Sequence, residues 1–311
     1  MAYKIGGIQQ VGIGVSNAAE ANEFYKKNFG MSVKVFDDAA EAKFMTKYTG
    51  GEVHSRRAIL SLHSQGGGGF EIWQFTSRTP ADAKRFDIGD IGILAIGLGT
   101  LNDFSNLEIE FESDKETWFR DPYGNLFHSP KENNAAGVKR VFVGVKNLNQ
   151  AEKMYSQLLK ANRKEEGVLS YKGQSYPTLT LGTDKPDPTA FSKILGGFEI
   201  VLVESPQGEN YFEGRYWGDK GFIHLCFDVE NMDDLKTHME QAGYGFTVDS
   251  QTNFDMGDAG GRFAYVEDPN GTLIELVEVM KFPISKKPKI NIPLTWKILK
   301  PLPKSLLKVL G

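Results

Sequence analysis

The stretch Val11-Gly12-Ile13-Gly14-Val15-Ser16-Asn17, followed by Ala21 and Tyr25, returns 130 residues later as Val141-Phe142-Val143-Gly144-Val145-Lys146-Asn147, followed by Ala151 and Tyr155. The correspondence continues in the same order. Phe70-Glu71-Ile72 matches Phe198-Glu199-Ile200, and Arg120-Asp121-Pro122-Tyr123-Gly124-Asn125-Leu126 matches Glu267-Asp268-Pro269-Asn270-Gly271-Thr272-Leu273. A repeated unit too small to bury its own apolar face must pack against its copies, so a binding site is expected between copies.

Working outward from these stretches, the chain reads as four units. In the first, residues 10–15 alternate as a strand, and Asn17 with Glu20 three positions on forms a capping box for a helix. Phe24, Tyr25 and Phe29 give that helix its buried face and Gly30 its stop. Residues 33–36, 58–62 and 70–75 are its further strands. Gly66 to Gly69 joins two of them, which makes it a hairpin link and not a phosphate loop. The second unit is abridged: strands over 91–98, 107–111, 117–120 and 126–129 leave room at 101–106 for scarcely one helical turn. The third has a strand at 141–145, a helix capped at Asn147, and strands near 178–181 and 198–203. The fourth has strands at 222–229, 245–248, 262–266 and 273–279 with a helix over 232–242. The predicted fold class is α+β: four βαβββ units, each a curved sheet with one covering helix. The expected division is an N-terminal half over 1–132, a C-terminal half over 136–280 and a tail over 281–311.

With 40% hydrophobic and 24% charged residues in 311, the composition is that of a globular protein of about two domains. There is no basic start leading into an apolar run, and no apolar stretch of bilayer length, so a cytoplasmic location is expected. A single cysteine, Cys226, excludes an internal disulfide and a multi-cysteine zinc site. The net charge of −4 hides an asymmetry. The tail holds eight lysines and no acid, so the body before it carries −12 and is no nucleic-acid binder. Five prolines (Pro283, Pro288, Pro293, Pro301, Pro303) argue against a long tail helix. The tail is expected to lie extended on the acidic body, outside the four units and separable from their folding. An anionic membrane surface is the alternative contact for its lysines and for Trp296, Ile298 and Leu299.

These segments resemble the vicinal oxygen chelate superfamily, the group of glyoxalase I, methylmalonyl-CoA epimerase, extradiol dioxygenases and bleomycin-resistance proteins. The resemblance runs over roughly residues 5 to 280. It is carried by the first strand and helix (Gln10 to Gly30), the FEIWQF strand (Phe70 to Phe75), the strand around His224 leading into Asp228-Val229, and the DPNGTLIEL segment (Asp268 to Leu276). It implies that units join in pairs into cupped sheets, one metal ion to a cup floor, with each unit offering one ligand position in its first strand and one in its last. The resemblance assigns these positions to Gln10 and Glu71, Ile93 and His128, Arg140 and Glu199, and His224 and Glu275. Ile93 has no donor, and Arg140 is a cation without a lone pair. Pairing consecutive units would leave both sets incomplete. Pairing the outer units collects Gln10, Glu71, His224 and Glu275 in one cup and every incompatible residue in the other. Single-chain glyoxalase I proteins of four units are similar, and such a ligand set is one that glyoxalase I uses.

The resemblance implies one divalent ion (Zn, Ni, Co, Mn or Fe) and a lyase or isomerase of glyoxalase or epimerase type. Its substrate would be a small molecule with adjacent oxygens that passes through an enediolate or enolate, with Glu275 as base and Glu71 as its partner. Two alternatives stand beside it: an extradiol-type dioxygenase, and a metal-free binding or resistance protein. Taken singly, His224 reads first as a hydrogen-bonded core histidine, and Gln10 reads also as a partner for backbone groups. Trp73, sharing a strand face with Glu71, reads as pocket wall or core, and His54, Arg56 and Arg57 as a rim for an anionic substrate or an exposed loop.

Overall fold

A computed structural model describes the chain except for residues 1, 83, 102, 133–135, 252–253, 257–258, 287–288, 295–300 and 311. Unit one comprises β1 (Lys4–Gly14), α1 (Ala18–Phe29), β2 (Val33–Glu41), β3 (Ser55–Leu62) and β4 (Gly69–Phe75). Unit two has β5 (Gly92–Gly97), β6 (Glu108–Glu112), β7 (Glu116–Arg120) and β8 (Leu126–Pro130), with no helix among its described residues. Unit three runs β9 (Arg140–Val145), α2 (Leu148–Leu159), β10 (Asn162–Tyr171), β11 (Gln174–Thr183), the single turn α3 (Ser192–Leu195) and β12 (Phe198–Glu204). Unit four has β13 (Gly221–Glu230), α4 (Met232–Gln241), β14 (Val248–Asp249), β15 (Phe254–Met256), β16 (Ala259–Glu267) and β17 (Leu273–Lys286). The tail adds β18 (Lys289–Pro293) and α5 (Leu306–Leu310).

The strands form two mixed sheets, and the outer units do pair with each other. One sheet runs β14-β16-β17-β13-β1-β4-β3-β2, with β15 beside β16 and β18 beside β17; the other runs β10-β11-β12-β9-β5-β8-β7-β6. The first strands of the paired units are the seams: β1 against β13, and β5 against β9, both antiparallel. The capping predictions hold. Asn17 and Asn147 accept from the N–H groups of Glu20 and Gln150, and Gly30 closes α1 in the left-handed conformation at φ 69°.

The main core lies between the two sheets and takes the inner faces of α1 and α2. The repeated tyrosines tie the sheets together across it. Tyr25 donates to Asp121 of the other sheet at 2.6 Å, and Tyr155 donates to Asp268 at 3.2 Å in the reciprocal direction. Smaller apolar clusters line the concave side of each sheet.

Two expectations need correction. β10 was not foreseen as a strand, because nearly all of it is exposed and it shows no apolar alternation; it is an edge strand, held only by β11. The tail is also more than an appendage. Its strand pairs with β17, and Leu307 and Leu310 are buried beside Phe282 in the cluster that lines the first cup. Trp296, Ile298 and Leu299 lie outside the described residues. Among the described residues no helix is long and apolar enough to cross a membrane.

Candidate metal centre

The floor of the first cup is built where β1, β4, β13 and β17 lie side by side. A β-bulge in β1 skips Gln9: Ile8 pairs with Phe227 and Gln10 with Cys226. Ile8 and Val11 therefore stay in the core between the sheets, while Gln9 and Gln10 both face the cup. Glu71 stands beside Gly12 on the parallel β4, and His224 stands opposite Gly12 on β13. Glu275 lies next to Cys226 on one side and opposite Tyr265 on the other.

Four side chains separated by up to 265 residues meet here. Gln10 Nε2 donates to Glu71 Oε2 at 3.2 Å and to Glu275 Oε2 at 3.3 Å. His224 Nε2 lies 3.3 and 3.1 Å from the same two oxygens, although neither contact is aligned as a hydrogen bond. Ligand atoms of Glu71, His224 and Glu275 all fall within 4.8 Å of one another. All four residues are buried, His224 completely. Two polar atoms, Gln10 Oε1 and His224 Nε2, are buried without a hydrogen-bond partner, a costly condition for a folded protein unless something else occupies the site.

The charges explain how the floor holds itself together. Burial opposes a charged imidazole, but the Glu275 and Glu71 carboxylates outweigh it and push the His224 pKa up to about 9. Burial likewise opposes ionisation of Glu275, yet His224 and Tyr265 hold its carboxyl below the usual range. The Tyr265 phenol is raised well above 10 by burial and by the two carboxylates, so it remains a donor. Its hydroxyl donates to Glu275 Oε1 at 2.9 Å and touches His224 Nδ1 at 3.3 Å.

Above the floor is a cavity of about 120 Å³ with largely apolar walls. Trp73 is one of them, edge-on to Trp217 at 4.3 Å between ring centroids. Arg56 is buried in the wall, its guanidinium over Trp73 at 5.0 Å and paired with Asp38 at 2.7 Å. Arg57 instead forks onto Asp37 outside, and His54 contacts Ser77. Gln9, Gly12 and Tyr265 join the floor without a signal in the repeats that assigns them there. Tyr265 is findable in retrospect, since its strand alternates and its counterpart in unit two is Trp118.

The second cup has a different floor. Arg140 and Glu199 form an ion pair, with Arg140 Nε donating to Glu199 Oε2 at 2.8 Å. His128 Nε2 is 2.9 Å from Glu116. Trp118 and Phe142 fill the space that Tyr265 and Gly12 leave open in the first cup. Ile93 is not the counterpart of His224. A bulge at Leu94 turns Ile93 into the core between the sheets, and Ala95, opposite Phe142, holds the equivalent position. Alanine is equally unable to bind a metal.

Residues 137–276 match the family described as the Glyoxalase/Bleomycin resistance protein/Dioxygenase superfamily. Over that stretch the chain belongs to the superfamily. A likeness of fold reaches beyond those residues. Glyoxalase I from Zea mays is similar in structure with a TM-score of 0.55 at 12% identity, covering 89% of this chain and 92% of its own. A protein assigned as a dioxygenase from Bacillus subtilis is similar with a TM-score of 0.55 at 13% identity, covering 88% and 86%. No curated protein sequence matches the chain. The matched family's description spans glyoxalases, bleomycin resistance proteins and dioxygenases.

Proposed function

We propose that Gln10, Glu71, His224 and Glu275 hold one divalent ion and that the protein is a metal-dependent lyase or isomerase of glyoxalase or epimerase type. The observation that carries this reading is the convergence of these four side chains on one buried floor with Gln10 Oε1 and His224 Nε2 unpartnered. The donor set fits. An imidazole nitrogen, an amide oxygen and two carboxylates suit Zn²⁺, Ni²⁺, Co²⁺, Mn²⁺ or Fe²⁺, and rotating the Gln10 amide by 180° turns its oxygen toward the carboxylates. When bound, the ion would supply Lewis acidity to adjacent oxygens of a substrate and charge compensation as a proton leaves the carbon next to the carbonyl.

The chain's own residues then do the proton work. Glu275 takes the proton from the carbon next to a carbonyl, leaving an enediolate or enolate, and returns it to the neighbouring carbon or the opposite face. Tyr265 fixes Glu275 by one oxygen, so the other is the one presented to the floor. Glu71 faces Glu275 across the floor and serves as its partner. Trp73 and Trp217 exclude water from above.

An extradiol dioxygenase needs two histidines and one carboxylate; His224 is the lone imidazole among the described residues that build this floor. The test is exchange of a carbon-bound proton with D₂O, using α-hydroxyketones as substrates. Glu275→Gln should keep the metal and lose about 10²–10⁴-fold in exchange rate. Oxygen consumption with catechols, without proton exchange, would overturn the reading.

A further inference from the structure

We infer that the substrate carries its adjacent oxygens at the end of a compact apolar body, of the size of one aromatic ring, and is not a peptidyl or otherwise ionised conjugate. The position of the oxygens rests on the metal-centre reading above; the nature of the body rests on the cavity walls alone. Those walls are Phe36, Phe44, Trp73, Trp217, Phe263 and Val279, and the cavity of about 120 Å³ is of the order that admits a benzene-sized guest. Phe44 is 42% exposed and edges onto Phe254 and Phe263 at the rim. The way in is thus aromatic as well as the interior.

In the walls Arg56 and Arg262 are buried and engaged by neighbouring carboxylates, while Lys43 and Glu41 form an exposed pair at the rim. Arg56 Nη1 donates to both the backbone and the carboxylate oxygens of Asp38. Arg262 forks onto Asp249 at 3.0 and 2.9 Å and reaches Asp233 at 2.6 Å. Lys43 lies 3.2 Å from Glu41. A substrate with ionised ends would have to lose its hydration here against partners already engaged, which disfavours it strongly. A neutral ring meets largely apolar walls, Trp73 and Trp217 among them, and gains from burial and aromatic contact.

The test uses the full chain and follows quenching of tryptophan fluorescence, since Trp73 and Trp217 are in the walls. Benzohydroxamate, acetohydroxamate and S-methylglutathione are titrated into metal-loaded protein, and benzyl alcohol into protein dialysed against EDTA. Benzohydroxamate is expected to bind at least tenfold tighter than acetohydroxamate, with S-methylglutathione failing to displace it. Phe44→Ser, a change at the exposed rim that leaves the core intact, should reduce the preference for benzohydroxamate over acetohydroxamate severalfold. Equal binding of the two hydroxamates, or displacement by S-methylglutathione, would overturn the inference. Saturable binding of benzyl alcohol to metal-stripped protein supports the apolar cavity even where loading with metal fails, so the two readings fail separately; absence of that binding counts against the cavity itself.

Discussion

His224 keeps its place because residue 12 is glycine. A Cβ there would fall 2.6 Å from His224 Cε1 and 2.8 Å from Nε2, and the backbone is otherwise ordinary, so the obstacle is purely steric. Gly12→Ala should displace the imidazole and lower metal affinity at least tenfold, read by chelator competition, while circular dichroism stays unchanged; undiminished affinity would show that the ring is not a ligand. A second buried group sets a pH dependence. Burial pushes the Asp228 pKa up to about 8; the Thr189 hydroxyl, 2.6 Å away, opposes this, and Glu230 and Glu278 reinforce it. Unfolded, the same carboxyl titrates near 3.9. Between about pH 4 and 8 the folded chain therefore holds a proton that the unfolded chain lacks, and this contribution to stability is lost as pH rises through that window. Asp228→Asn should make the melting temperature fall less between pH 5 and 8, by several degrees; parallel pH profiles would refute the assignment. At this scale Gln10, Glu71, His224 and Glu275 were legible because the repeats and the resemblance assign positions to them. Gln9 and Ala95 were not, because a bulge shifts which side chain faces the cup and leaves no mark in the residue types.

The elements that sequence patterning reaches are those with one buried face. α1 and α2 carry both a cap and an apolar stripe, and their limits follow closely from Asn17, Gly30 and Asn147. β10 carries neither signal, being a polar edge strand, and only its pairing with β11 makes it regular. The tail misleads for the opposite reason: its prolines and lysines suggest an unstructured end, yet β18 extends the sheet through β17 and α5 buries Leu307 and Leu310. Cutting after Met280 would also remove Phe282 from the cluster on the cup side. At about 1.5–3 kcal/mol for each fully buried side chain, the truncated chain should melt at least about ten degrees lower or come out insoluble. A melting temperature within a few degrees of the full chain would restore the view of the tail as separable.

At the scale of the molecule, the incompatible residues foretold the pairing: with Arg140 in a ligand position of the third unit, a full donor set arises only where the outer units join. The outer units meet across the β1–β13 seam, and each half of the chain contributes to both sheets. The two tyrosine–aspartate ties then lock the sheets reciprocally. Tyr25→Phe and Tyr155→Phe should each cost about 2 kcal/mol in urea unfolding, because each leaves a buried carboxylate short of a donor; a change below about 0.5 kcal/mol at both sites would make the ties incidental. Because the proposed centre joins residues from the first and last units, an ion bound there is coupled to the docking of the two halves, and chelation should lower the melting temperature. The most direct measurement is the metal content of freshly purified protein and its variants. One divalent ion per chain is expected, lost in both His224→Ala and Glu71→Ala and retained in Arg140→Ala. Two ions per chain, or one ion that survives both losses of ligand, would contradict it.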